Sequence, residues 1–122
     1  MSYAPVSFKQ ADSIAAYRIV RITSSQTVAL ASATTDVLIG VTQDNANNSN
    51  QKVPVAIAGI AKVYMNDTCA AGGPVTTDAS GRGIPAVVNT AGVYIIGHTL
   101  HAVSATGTLA EVLLNPFQIN IP

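Results

Sequence analysis

Stretches in which apolar and polar residues alternate follow one another along the whole chain. Residues 16–23, AYRIVRIT, place Tyr17, Ile19 and Arg21 on one side of an extended chain and the residues between them on the other. Turn signals separate such stretches at roughly 8–12 residues. This spacing predicts an all-β fold, either a small barrel or a sandwich of short antiparallel strands. Further stretches of strand length lie at 27–31, 36–43, 52–65, 74–78, 85–88, 92–100, 109–115 and 117–121.

Three segments depart from simple alternation. Residues 52–65 contain Pro54 and Gly59, which predict two short strands joined by a bend. Residues 66–74 are the only helix candidate, because Asn66 or Asp67 is suited to cap one turn that Gly72 would end. Residues 45–50 are small and polar and predict an exposed loop, whose asparagines are Asn45, Asn47, Asn48 and Asn50.

One short motif occurs twice, 57 positions apart: Ile39-Gly40-x-Thr42 returns as Ile96-Gly97-x-Thr99. Laid over each other without a gap, residues 37–57 and 94–114 also match at Val55 and Val112 and bring the polar loop of the first half onto a turn of the second. In a strand, a glycine such as Gly40 marks a bulge or a close approach of another backbone.

Upstream of the motif the likeness continues. Residues 19–30 overlay residues 74–87 once a gap of two residues is allowed. The overlay favours a duplicated unit over a chance match. Since a unit of this size cannot bury its apolar side alone, we expect the two similar halves to pack against each other and hide their sheet edges.

The two ends differ from the region between them. We expect an extended arm over 1–15, a β-domain over 16–114 and a C-terminal tail strand over 115–122. Burial of one large apolar side chain contributes about 1.5–3 kcal/mol, so the apolar groups at both ends should find a neighbouring subunit or a larger assembly. The expected interface residues are Tyr3, Val6, Phe8, Phe117, Ile119 and Ile121.

Composition indicates a protein with many contacts to other subunits. Charged residues make up 10% of the chain and apolar residues 48%, with a formal net charge of +0. A nucleic-acid binder or a membrane-surface protein would carry a basic excess, so neither partner is expected. So few charges leave too little polar surface for a free monomer, and we expect a homo-oligomer, with a trimer first and a dimer second.

Targeting signals are not evident. The first 16 residues lack a basic start followed by an apolar core, and no apolar run approaches the roughly 18 residues of a membrane span. Synthesis in a cytoplasm is therefore expected, and the single cysteine, Cys69, excludes an intrachain disulfide.

Candidate chemistry is sparse. His98 and His101 lie on a predicted strand, where residues three apart point to opposite faces, so a shared metal is not expected. Cys69 precedes small residues and is expected to be a buried packing residue. We predict no catalysis, metal or cofactor, although a small trimeric enzyme with His98 or His101 in a site between subunits stays an alternative. No spacing among the carboxylates suggests an acid–base pair: Asp12, Asp36, Asp44, Asp67, Asp78 and Glu111.

A set of short motifs over residues 16–114 resembles the small capsid decoration (cement) proteins of tailed bacteriophages. The first half departs from this pattern, because Thr23–Gln26 stands where an Asp-x-x-Gly turn is expected, and the tail 115–122 runs past the usual end. The matching motifs are Ile39-Gly40, Lys62-Val63, Gly72-Gly73-Pro74-Val75, Asp78-Ala79-Ser80-Gly81, Ile96-Gly97 and Val112-Leu113-Leu114.

The resemblance implies a non-enzymatic protein of the virion. Such a protein binds the outer surface of the assembled head, commonly as a trimer, and holds neighbouring copies of the major capsid protein together. A virion-displayed module that recognises a host surface glycan is the alternative from another functional class. It would need an aromatic or acidic cluster on one face, and aromatic residues make up only 5% of the chain.

Overall fold

The computed structural model describes residues 3–10, 14–44, 52–86 and 92–118. Within these ranges the chain forms nine strands and no helix, which confirms the all-β prediction. None of the described residues belongs to a helix long and apolar enough to cross a membrane. The strands are β1 (Tyr3–Gln10), β2 (Ile19–Ser24), β3 (Thr27–Leu30), β4 (Leu38–Thr42), β5 (Lys52–Met65), β6 (Pro74–Thr77), β7 (Gly83–Pro85), β8 (Tyr94–Thr99) and β9 (Thr108–Gln118).

The strand pairings close two rings of five strands that share β5. The first ring runs β1, β3, β2, β4, β5 and returns to β1, and we call it the first barrel. The second runs β5, β7, β6, β8, β9 and returns to β5, and we call it the second barrel. The pairs β1–β3 and β5–β7 are parallel, and the other pairs are antiparallel. Ring closure pairs the backbone N–H and C=O groups of strands that would otherwise be free edges.

The two barrels repeat one another strand by strand. In the first barrel Val41 pairs with Ala56, and 57 positions later His98 pairs with Leu113 in the second. The C-terminal half of β5 takes the place of β1 in the second barrel. β1 runs parallel to β3 in the first barrel, and β5 runs parallel to β7 in the second. The predicted construction from two similar halves is therefore confirmed.

The hairpins of the two barrels correspond at a different spacing. Arg21 pairs with Ala29 between β2 and β3, and 55 positions later Thr76 pairs with Ile84 between β6 and β7. The overlay predicted a gap of two residues within the hairpin, at 19–30 and 74–87. The two extra residues lie beyond it, since Ile84 and Gly97 are 13 positions apart and their counterparts Ala29 and Gly40 are 11 apart.

Strand β5 is one continuous strand of 14 residues, so the prediction of two short strands was wrong. The predicted bend lies at Gly59, whose φ of 83° belongs to the region that favours glycine. Gly59 pairs with Tyr3 on one side and with Leu114 on the other. The bend is the point at which β5 leaves one barrel and enters the next, and hydrogen bonding continues through it.

Buried apolar residues form two clusters. The smaller cluster fills the first barrel with Ile14, Val20, Val28, Val53 and Val55. The larger cluster joins second-barrel residues to residues on the outside of the first barrel. One of these is Ile19, which lies on the opposite side of β2 from Val20. The second barrel therefore packs against the outer face of the first. Other first-barrel members of the larger cluster are Ala31, Leu38, Val41 and Ala56.

Backbone hydrogen bonds reinforce this contact between barrels. The Ile19 amide donates to the Gly81 carbonyl at 2.7 Å, and the Tyr64 amide donates to the Tyr17 carbonyl at 2.9 Å. The Arg18 guanidinium lies 4.3 Å from the centre of the Tyr64 ring, within the range of a cation–π contact. The two barrels are one packed body.

The helix candidate at 66–74 was wrong. The chain there makes bends and a turn, and Cys69 forms a two-way bridge with Val103 through backbone bonds of 3.0 and 2.7 Å. Cap residues at both ends of so short a segment do not offset the cost of helix nucleation. Pairing with Val103 satisfies the same backbone groups.

The turn between β6 and β7 is held by one carboxylate. Asp78 accepts hydrogen bonds from the Ser80 amide at 2.8 Å, the Arg82 amide at 2.9 Å, Arg82 Nε at 2.9 Å and Asn66 Nδ2 at 3.1 Å. Gly81 in this turn has a φ of 73°. In the first barrel Gln26 occupies the matching position with a φ of 54°, so the turn keeps its shape without the aspartate and the glycine.

Both ends of the described chain belong to the barrels. The segment predicted as an extended arm contains β1, which is extended but pairs with β5 and β3 of its own chain. At the other end β9 continues past Pro116 to Gln118 and stays paired with β8, so no strand boundary lies at residue 115.

Candidate interaction surface

The outer side of β9 carries apolar residues in contact with solvent. Its inward residues Ala110 and Val112 are fully buried in the second barrel. The alternate residues Leu109 and Leu113 point outward and are 40% and 48% exposed. Strand alternation therefore gives β9 two apolar sides, and the barrel covers one of them.

An aromatic pair extends the apolar side towards the C-terminal end of β9. His98, on β8, is the direct partner of Leu113. Its ring stacks on Phe117, with ring centroids 6.4 Å apart and an angle of 18° between the planes. A register shift lies between Ile95 and Gly97, where β9 has one residue more than β8. Phe117 remains 40% exposed.

Leu100, the residue directly after β8, completes this apolar group. It is 48% exposed, and its amide donates to the Glu111 carbonyl at 3.0 Å, which holds it beside β9. We call His98, Leu100, Leu113 and Phe117 the β8–β9 face. Three of its four members are large apolar side chains that are two-fifths exposed or more, an arrangement typical of an interaction surface.

Charged neighbours of the β8–β9 face are few and of both signs. Lys62 on β5 and Glu111 on β9 are direct partners in the ladder and lie in the row next to Leu113. Both are half-buried. The two ion pairs within the described residues join other groups, Arg21 with Asp36 and Arg82 with Asp78.

The predicted interface residues are placed as follows. Phe8 is half-buried against the cluster inside the first barrel, and Phe117 belongs to the β8–β9 face. Tyr3 and Val6 lie in β1, where their partners are Gly59 and Val55. The remaining predicted residues lie outside the described part of the chain: Ile119, Ile121, Asn45, Asn47, Asn48 and Asn50.

The two histidines make separate contacts. His98 stacks on Phe117, whereas His101 lies in the bend after β8. The Glu111 amide donates to His101 Nε2 at 3.2 Å, and His101 Nδ1 lies 3.1 Å from the Ala102 carbonyl. A neutral ring with the proton on Nδ1 satisfies both contacts. Within the described ranges no three His, Cys, Asp or Glu side chains are grouped to hold a metal ion.

Cys69 is a packing residue in this fold. Its side chain is 8% exposed and belongs to the larger apolar cluster. A Cβ placed on Gly73 would lie 2.7 Å from its sulfur, so the neighbouring backbone packs directly against the thiol. The part of the chain that the structure describes holds no cleft for a small ligand.

The sequence-based prediction missed Leu100 and Leu113. Both lie in stretches that the sequence predicts as strands, 92–100 and 109–115, and nothing local distinguishes their outward direction. The overlay of the two halves contains a usable signal, because 57 positions earlier the chain has Gln43 and Ala56. The change from small or polar to large and apolar residues at matching places indicates an apolar surface in the second half.

Among solved structures, the chain is similar to the crystal structure of the head fiber gp8.5 N base in bacteriophage phi29. The TM-score is 0.72 at 14% sequence identity, over 93% of this chain and 95% of that chain. No family model and no curated protein matches the sequence. At this identity the likeness concerns the fold, and it extends over both barrels. The chain therefore has a two-barrel fold similar to that of the phi29 head fiber base.

Proposed function

We propose that this protein is a structural component of a bacteriophage virion that attaches to the assembled head. The observation that carries this proposal is the fold likeness to a head fiber base, which covers nearly the whole of both chains. The low charge and the exposed apolar β8–β9 face support it, since both suit a protein that is covered by other subunits.

More specifically, we propose a decoration, or cement, protein on the outer surface of the head. It would contact neighbouring copies of the major capsid protein and hold them together. A ligand that binds only the assembled shell stabilises that shell by mass action, by about 2.7 kcal/mol per site at 100 times its Kd. Several weak contacts on one oligomer strengthen one another through their shared attachment.

The proposed role needs neither catalysis nor a cofactor. Binding to a regular shell requires complementary surfaces, repeated at fixed spacing, and a rigid body that holds them. Two barrels locked by the shared strand β5 provide such a body. A homotrimer is the expected form, with a dimer second.

Purified heads test the attachment directly. Heads from the encoding phage with this gene deleted are mixed with the purified protein, sedimented, and imaged by electron cryomicroscopy. We expect saturable co-sedimentation and added density on the outer surface, with unassembled capsid protein as the control that does not bind. Absence of saturable binding to such heads would overturn the proposal.

The same heads separate cement from the alternative of a displayed glycan-binding module. Cement raises the temperature at which heated heads release their DNA, because its binding energy must be lost on disruption. A displayed module leaves that temperature unchanged and instead alters adsorption to host cells. Saturable binding without any rise in head stability would contradict the cement form.

A further inference from the structure

The internal repeat shows what the counterpart of the β8–β9 face contacts in the first barrel. The counterparts of His98, Leu100 and Leu113, 57 positions earlier, are Val41, Gln43 and Ala56. These three lie where the second barrel packs on the first, and the side chains of Val41 and Ala56 are fully buried there. Gln43 Nε2 reaches the Lys62 carbonyl of the second barrel at 3.5 Å.

The first barrel therefore uses this face to bind another barrel of the same fold. In the second barrel the matching face carries larger apolar groups, yet nothing in the described chain covers it. Leu100 and Leu113 are each 48% exposed. The β8–β9 face therefore matches, through the repeat, a surface that already binds a barrel of this fold within the molecule.

We propose that the β8–β9 face is a self-association surface, occupied by a second copy of this chain. Copies related by a rotation axis close to the face bring Leu113 of one copy near Leu113 of the next. This arrangement is independent of attachment to a phage head.

Charge favours a second copy over a charged partner. The face is flanked by one cation and one anion, Lys62 and Glu111, which form no ion pair with each other or with another described residue. A partner rich in one sign of charge would repel one of the two. A second copy offers one group of each sign, so Lys62 of one copy and Glu111 of another complement each other while the leucines are buried.

A cysteine substitution tests the geometry. Cys69 is the only cysteine and is buried, so Leu113→Cys introduces a single exposed thiol. We expect mild oxidation to convert most of this variant to a covalent dimer on a non-reducing gel. The matched control is Leu109→Cys, which is on the same strand, outward and 40% exposed, but outside the face. Four strand residues span roughly 13 Å, beyond the reach of a disulfide, so the control should remain monomeric on the gel.

Charge insertion tests the energetics of the same face. Leu113→Lys and, separately, Leu100→Lys should weaken self-association by roughly 10- to 100-fold, measured by light scattering on a sizing column across a dilution series. Leu109→Lys should leave it unchanged. Circular dichroism confirms that each variant stays folded, as expected for side chains that are about half exposed.

Three results would overturn the proposal. One is a monomeric wild-type protein throughout the dilution series. Another is equal crosslinking of the two cysteine variants. The third is a Leu109→Lys variant that dissociates as readily as Leu113→Lys and Leu100→Lys.

Discussion

Replacement of Gly97 by alanine tests a close approach between the backbones of β8 and β9. An alanine Cβ at this position would lie 2.2 Å from the Leu113 carbonyl oxygen and 2.9 Å from Val112 Cγ1. A normal carbon–oxygen contact is roughly 3.3 Å, so β8 and β9 would have to separate by about 1 Å. The obstacle is backbone, which cannot rotate away as the end of a side chain would.

The size of the effect follows from that displacement. A separation of this size takes ladder hydrogen bonds beyond their favourable range, and the loss of two such bonds costs about 1–3 kcal/mol. Overpacking against buried Val112 adds about 1–3 kcal/mol. We expect Gly97→Ala to lower the free energy of unfolding by about 3–5 kcal/mol. Gly40→Ala should match it, because its Cβ would lie 2.3 Å from the Ala56 carbonyl oxygen.

Gly72→Ala is the control that separates crowding from backbone strain. Gly72 has a φ of 75° and no atom within 4 Å of an added Cβ, so alanine costs only the strain of about 1–2 kcal/mol. Urea denaturation followed by circular dichroism gives all three free energies. If Gly97→Ala and Gly40→Ala are no more destabilising than Gly72→Ala, or differ from each other by most of the effect, the account of the repeated close approach is wrong.

Two further substitutions test the turn and the first barrel. Asp78→Ala should lower the free energy of unfolding by about 2–4 kcal/mol, since four donors lose a carboxylate, whereas exposed Asp67, which accepts one bond from the Thr68 amide, should lose about 0.5 kcal/mol or less on the same change. Equal losses at the two aspartates in urea titrations would contradict the role given to Asp78. Phe8→Ala should cost about 1.5–2.5 kcal/mol, half the value of a fully buried phenylalanine, because Phe8 is half-buried in the first barrel. Exposed Ser7→Ala on the same strand is its control, and a thermal melt in which Phe8→Ala behaves like Ser7→Ala would show that β1 does not contribute to the barrel.

Local pattern was sufficient for the strands and for the duplication. Alternation placed β2, β3, β4, β8 and β9 close to their observed positions, because each has one side in a barrel. Gly40 was predicted to mark a bulge or a close backbone approach, and a Cβ added there would lie 2.3 Å from the Ala56 carbonyl oxygen. The motif pair Ile39-Gly40 and Ile96-Gly97 repeats because both barrels need the same approach at the same register.

Ring closure and surface exposure were beyond local pattern. The pairing of β1 with β5 joins residues 43 to 56 positions apart, and no short-range signal specifies it. Leu113 and Val112 are adjacent and equally apolar in the sequence. Only the position of the barrel interior decides that Val112 is buried and Leu113 is exposed.

The strand shared by the two barrels also determines where the chain tolerates insertions and deletions. The two units already differ by two residues between the positions Ala29 and Gly40 of the first and Ile84 and Gly97 of the second, and the strand pairings at both of these positions correspond. A loop absorbs such a change locally. An added residue in β5 would instead reverse the sides of every residue beyond it, in a strand that lines both interiors. Length variation among relatives of this fold is therefore expected in the loops, with β5 held at constant length on either side of its glycine.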